Sequence, residues 1–197
     1  MPRGHFDEAY YRRFYGDRAT RVTSQQAITA TARFVAGYLG YLGVEVGQVL
    51  DVGCGLGLWR GPVRRFFRGA RYVGLEHSEY LCGRFGWERG SVIDHAGPPA
   101  DLVICQGVLQ YVPDRDLGRA IENLARLSAG ALWLEALTRE DWDEHADRSV
   151  TDGDVFLRPA ARYRRALAKA GLRAAGGGLF LPADSHAVLY ELERGHP

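Results

Sequence analysis

Three glycines in five residues, Gly53, Gly55 and Gly57, follow directly on the apolar run Val49-Leu50-Asp51-Val52. Such a segment binds rather than makes bonds. Alternating glycines let the chain turn through conformations closed to other residues, and they let a ligand approach the backbone closely. A helix beginning just after the loop would also offer unpaired amides to polar or anionic ligand atoms. Spacing separates the ligand classes. A dinucleotide loop asks for Gly-x-Gly-x-x-Gly, which from Gly53 needs glycine at position 58, where Leu58 stands. Gly-x-Gly-x-Gly fits instead. Glu76 is the second residue with chemistry, closing the apolar run that begins at Tyr72. A carboxylate at the end of a neighbouring strand can accept two bonds from sugar hydroxyls, each worth about 1.5–3 kcal/mol when charge-assisted.

Alternating elements must position these groups. Strands are predicted over 49–53, 72–76, 87–90, 101–106, 131–137, 172–181 and 187–192. Helices are predicted over 58–68, 78–85 and 159–171, with Pro159 opening the last and Gly171 closing it. Asp114 is read as the cap of a further helix that shows Leu117, Ile121, Leu124 and Leu127 on one face. Ahead of them, Thr23 and Gln26 have capping-box spacing before Ile28, Val35 and Leu42 at helical intervals. Strands alternating with helices predict a parallel sheet covered on both faces. The short turn at Pro182, Asp184 and Ser185 predicts an antiparallel final pair, because a parallel crossover needs a dozen or more residues. The expected fold is a three-layer α/β sandwich: a mostly parallel seven-stranded sheet with an antiparallel last strand.

At 197 residues, 46% of them hydrophobic, the chain is expected to form one domain over 1–197. Residues 1–44 would be an aromatic and helical lid segment and 45–197 the core. A net charge of +1 and a pI near 7.8 do not favour nucleic acid as partner. Cys54, Cys82 and Cys105 form no C-x-x-C pair, so neither a disulfide framework nor a metal site is expected. No run approaches the roughly 20 apolar residues that span a bilayer, and the N-terminus reads as no signal peptide. No membrane partner and a cytoplasmic location are therefore expected.

From about 49 to 193 the chain resembles the class I S-adenosylmethionine-dependent methyltransferases. VLDVGCGLG is similar to their first motif and YVGLE, ending in Glu76, to their second; GSVID and DLVICQGVLQYVPD resemble the segments around the third and fourth strands. The resemblance implies a Rossmann-like fold with S-adenosylmethionine as cofactor. It assigns the cofactor to Asp51, Gly53, Cys54, Gly55 and Gly57 in the loop, to Glu76 and His77, and to Gln106 with Cys105 beside the methionine part. Ser91 with the backbone of Val92 is the first choice for the adenine, Asp94 the second. In such proteins an aromatic N-terminal segment often folds over the cofactor. Tyr11, Tyr15 and Arg21 are candidate lid residues on that ground, Arg21 for the cofactor carboxylate; packing on the core is the alternative for the tyrosines. Gln110 stands where many relatives carry histidine, so no base is implied there. Asp101, at the start of its strand, is expected to be structural.

Methyl transfer asks mainly for positioning, and a general base is needed only if the acceptor arrives protonated. Glu135, His145 and His186 are candidate bases, and no catalytic residue is assigned. The chain lacks the [DNS]-P-P-[YFW] signature and the Pro-Cys pair of nucleobase methylation. Tyr111, Trp133 and Trp142 are candidates to line an apolar pocket, and the acidic stretch over 138–154 reads as a solvated loop. The expected reaction moves a methyl group to an oxygen or nitrogen of a small-molecule acceptor. A nicotinamide-dependent oxidoreductase on a related sheet and a non-catalytic cofactor-binding module stay open as alternatives.

Overall fold

Consecutive residues of one strand show how the layers arise. On β4 (Ala100–Gln106), Leu102 and Ile104 pack into one apolar layer while Val103 and Cys105 pack into the other, all fully buried. Successive strand side chains point to opposite faces, so a continuous apolar run must be covered on both. The computed structural model describes residues 6–16 and 23–191. It contains, in chain order, α1 (Glu8–Tyr11) running into a π-turn (Arg12–Gly16), α2 (Gln25–Tyr41), β1 (Gln48–Val52), α3 (Arg60–Phe66), β2 (Arg71–Glu76), α4 (Glu79–Phe85) and β3 (Glu88–Arg89). After β4 come a 3-10 turn (Leu109–Tyr111), α5 (Leu117–Leu127), β5 (Ser128–Glu135), α6 (Arg139–Glu144), α7 (Ala160–Lys169), β6 (Leu172–Gly176) and β7 (Leu179–Pro182).

The strands form one seven-stranded sheet in the order β3-β2-β1-β4-β5-β7-β6. Neighbours from β3 to β5 are parallel, and β7 runs antiparallel to both β5 and β6. Helices α2 and α3 cover one face through Ile28, Val35, Leu39 and Val63. Helices α5 and α7 cover the other through Leu117, Ile121, Leu124 and Leu167. The fold is the mostly parallel three-layer arrangement that the pattern predicts.

Register brings the site together. Val52 lies beside Leu75 on one side and Cys105 on the other, and Gln106 lies beside Glu135. Gly53, Glu76, Gln106 and Glu135 therefore end level at one carboxyl edge. At the opposite edge Asp101 is structural, accepting the amides of Gly47 and Gln48 at 2.8 Å each.

Several local expectations are corrected. The final hairpin lies inside 172–182, turning through Gly177 and Gly178 at positive φ, and residues 187–190 form no strand. The three adjacent glycines Gly176 to Gly178 all have positive φ, which breaks the single strand expected over 172–181. Within 138–154, Thr138 and Asp141 close a capping box that starts α6, so the stretch is partly helical. The cap of α2 is Ser24, which accepts the Ala27 amide at 3.1 Å, not Thr23. Asp114 does not cap α5 (Leu117–Leu127), whose N-cap position is held by Asp116 without a side-chain capping bond. It instead meets Arg158 at 2.6 Å and Arg162 at 3.0 Å. Arg158 is 2% exposed and also donates to the carbonyls of Leu109 and Val112 and to the Tyr163 hydroxyl. This one guanidinium ties the turn after β4 to the start of α7.

Candidate functional site

The loop after β1 turns back at once: Gly53 and Cys54 both donate to the Leu75 carbonyl, at 2.8 and 3.1 Å. All three glycines have positive φ, between 53° and 72°, a region that costs other residues dearly. Their surroundings differ. A side chain on Gly53 would strike Val108, and one on Gly57 would strike Trp87, whose indole donates to the Gly55 carbonyl at 2.9 Å. On Gly55 it would meet nothing closer than a backbone oxygen at 3.9 Å. Gly55 thus faces open space, whereas Gly57 lines no part of the crevice and is small because Trp87 needs the room. Helix α3 starts at Arg60, later than predicted, so its first turn does not abut the loop.

That open space belongs to a cavity of about 520 Å³ at the carboxyl ends of β1, β4 and β5, within the size range of small-molecule sites. Its walls include Asp51, Gly53, Cys54 and Gly55, Ile28 and Thr31 of α2, Trp59, Gln106, Gln110, Tyr111 and Glu135. A smaller recess of about 70 Å³ adjoins it, bounded by Phe6, Tyr10, Tyr11, Tyr15, Glu76 and His77. A separate hollow of about 390 Å³ beside Glu122, Arg126 and Asp184 lies away from these strand ends and holds none of these groups.

Glu76 is 5% exposed and already engaged. One oxygen accepts the amides of His77 and Ser78 and the other that of Gly55, each at 2.8 Å. A carboxylate has about four acceptor positions, so one remains. The two sugar hydroxyls expected from sequence cannot both be accepted unless an amide lets go. Asp51, 2% exposed, accepts the Tyr72 hydroxyl at 2.5 Å; burial, opposed by that bond and reinforced by Glu76, pushes its carboxyl up to about 7. Burial, then the charges of Asp51 and Glu76, push the Cys54 thiol far up, so it stays protonated.

On the far side, Gln106 accepts the Trp59 indole at 2.8 Å and donates to Glu135 at 3.2 Å. Burial and the nearby charge of Asp141 raise the pKa of Glu135, while the Gln106 bond draws it back. The N-terminal segment closes the top. The Phe6 carbonyl accepts Ser78 Oγ at 2.6 Å, Tyr11 stacks on Tyr80, and the Tyr10 and Tyr111 hydroxyls meet at 2.8 Å. Tyr111 also donates to Asp152 at 2.9 Å. Burial, then Glu76, Asp152 and Glu135, push Tyr15 up to about 12, so its phenol remains a donor among carboxylates.

Several residues singled out from the sequence lie outside both cavities. Cys105 is fully buried in the core below Gln106 and lines neither cavity. Ser91, Val92 and Asp94 also line neither; Ser91 Oγ accepts the Ile93 amide, and Val92 is 2% exposed in the core. Trp133 packs on Trp59 in the core, 5.0 Å between rings, and Trp142 lies under Arg148. His145 and His186 are exposed and away from the cavity. Arg21 lies outside the described residues. Sequence reasoning missed Tyr10, Thr31, Trp59, Asp141 and Asp152 as wall residues; no local motif marks them, because each reaches the cavity only through packing between elements.

Fold and site define a class: an α/β protein whose crevice opens where the strand order reverses between β1 and β4, the usual ligand position in open sheets. Residues 23–175 match the family profile described as a methyltransferase domain, and the chain belongs to that family. It is a methyltransferase, which sets aside the nicotinamide oxidoreductase. No curated protein matches the sequence closely. Among solved structures it is similar to a sugar N-methyltransferase of a Streptoalloteichus species, with 21% identity, 87% of this chain and 91% of that chain covered, and a TM-score of 0.66. Magnesium protoporphyrin IX methyltransferase of Synechocystis, solved with bound S-adenosylhomocysteine, is also similar, at 21% identity with 89% and 94% covered and a TM-score of 0.63. DesVI of Streptomyces venezuelae gives 21%, 89% and 98%, and 0.62. These likenesses are of fold. Among the described residues no helix is long and apolar enough to cross a membrane.

Proposed function

We propose that this chain transfers a methyl group from S-adenosylmethionine to an oxygen or nitrogen of a small-molecule acceptor by in-line displacement. The open space at Gly55, continuous with the large cavity, carries the reading. A Cβ at Gly55 would project into the space that the cofactor needs. Gly53, Gly55, Glu76, His77 and Gln106 are the wall residues assigned to the cofactor, with Glu76 accepting one ribose hydroxyl through its remaining lone pair. Asp51 and Cys54 line the same cavity beside the loop, and Gly57 serves the loop by admitting Trp87. The adenine is left without an assigned side chain, since Ser91 and Val92 stand apart.

When bound, the cofactor supplies an electrophilic methyl group. The chain orients the acceptor along the line of attack and keeps water out, effects that can account for about 7–11 kcal/mol of barrier. Tyr10, Tyr11 and Tyr15 form the lid over a single domain. Three free cysteines suit a reducing compartment such as the cytoplasm, and the near-zero net charge does not favour nucleic acid.

Calorimetric titration with S-adenosylhomocysteine tests the reading. The wild-type chain binds it, and Gly55→Val, which fills the crevice and strains a φ of +53°, does not. Normal binding by a folded Gly55→Val variant overturns the assignment.

A further inference from the structure

Charge on the cavity wall speaks to the acceptor. The described residues that line the large cavity include the carboxylates of Asp51, Glu135, Asp141 and Asp152 and no lysine, arginine or histidine. Asp51 faces the glycine loop and is occupied by Tyr72. Glu135 stands elsewhere. Its strand is two places from β1 and three from β2, about 10 and 14 Å at the usual strand spacing. A ligand held by Gly55, Glu76 and Gln106 therefore reaches at most the Gln106 side of Glu135, and the other Glu135 oxygen is left for the second substrate.

Glu135 is also equipped to meet one. Gln106 holds one of its oxygens, and among the described residues it makes no ion pair. The Glu135 side chain is exposed at the cavity wall, open to a ligand, and no cation among the described residues of that wall offsets its charge. A cationic ligand is drawn to it; a neutral alcohol gains less, and a carboxylate ligand meets like charge.

We infer that the acceptor is a primary or secondary amine, received as its ammonium form by Glu135. The inference rests on the methyltransferase reading above and narrows its acceptor to nitrogen. The ammonium N–H donates to the Glu135 oxygen that Gln106 leaves open, and the proton passes to that oxygen. The freed nitrogen lone pair then forms the new bond to the methyl carbon. The sulfur–methyl bond breaks with its electron pair going to sulfur, which leaves S-adenosylhomocysteine and an N-methylammonium product. Glu135 returns its proton to water as the product leaves. One proton is released per turnover.

The test uses the full chain saturated with S-adenosylhomocysteine and two matched sets of probes. One is tyramine, tyrosol and 4-hydroxyphenylacetate; the other is glucosamine, glucose and glucuronate. Each set presents one scaffold with an amine, a hydroxyl or a carboxylate. Calorimetry should find an amine bound at least about tenfold more tightly than its alcohol, with the acid not bound. Glu135→Gln keeps a partner for Gln106 and should weaken amine binding about ten- to a hundredfold while leaving S-adenosylhomocysteine affinity unchanged. Neither amine binding, preference for alcohol or acid, or unchanged amine affinity in Glu135→Gln each overturns the inference. Failure of S-adenosylhomocysteine itself to bind overturns the earlier reading instead, so the two failures are distinguishable.

Discussion

At the scale of single residues, Asp51 shows how one group can tie the site to stability. Its carboxyl is pushed up to about 7, chiefly by burial, against an unfolded value near 3.9. The folded chain thus holds this proton more tightly than the unfolded one. The resulting stabilisation is fully present below about pH 4 and is lost as pH rises through 7. The stability of the wild-type chain relative to Asp51→Asn should fall with rising pH between about pH 4 and 7, by up to about 1.4 kcal/mol per unit. Urea unfolding of both chains across that window checks it; a flat difference would show that Asp51 ionises normally. The loop itself was legible in the sequence because glycine spacing is a local property. The separate reasons for its three glycines were not. Trp87 and Val108, which make Gly57 and Gly53 obligatory, arrive from beyond β2 and β4.

At the scale of elements, a single buried arginine fixes one wall of the site. The turn after β4 carries Gln110 and Tyr111 into the cavity wall, and Arg158 fixes that turn through the Leu109 and Val112 carbonyls. Arg158→Leu leaves both carbonyls without this donor and Asp114 at the surface, with more than half of its side chain exposed. The expected loss is about 2–4 kcal/mol, read by urea unfolding, with weakened acceptor binding alongside. An unchanged midpoint would mean that the turn is held by other contacts. Sequence pattern predicted the helix that Pro159 opens but gave Arg158 no role, since nothing local separates a buried arginine from a solvated one. The hairpin shows the same limit: its apolar run was plain, while the turn inside it came from positive φ at Gly177 and Gly178.

For the whole molecule, the aromatic segment at 6–16 matters most, because it roofs the cavity without joining either large apolar layer of the sheet. Removing residues 1–16 should weaken S-adenosylhomocysteine binding by about tenfold or more, while thermal unfolding shifts by only a few degrees. Undiminished affinity in the truncated chain would reduce the lid to surface packing. By itself, the sequence determined what short-range physics dictates: apolar alternation that needs cover on both faces, glycines that bare the backbone, and a carboxylate closing the next strand. Only the tertiary structure decided that Glu135, rather than His145 or His186, faces the cavity, and that Gln106 lies beside it while Cys105 drops into the core. Those outcomes depend on strand order and on side chains packed from distant positions, and no local window of residues contains that information.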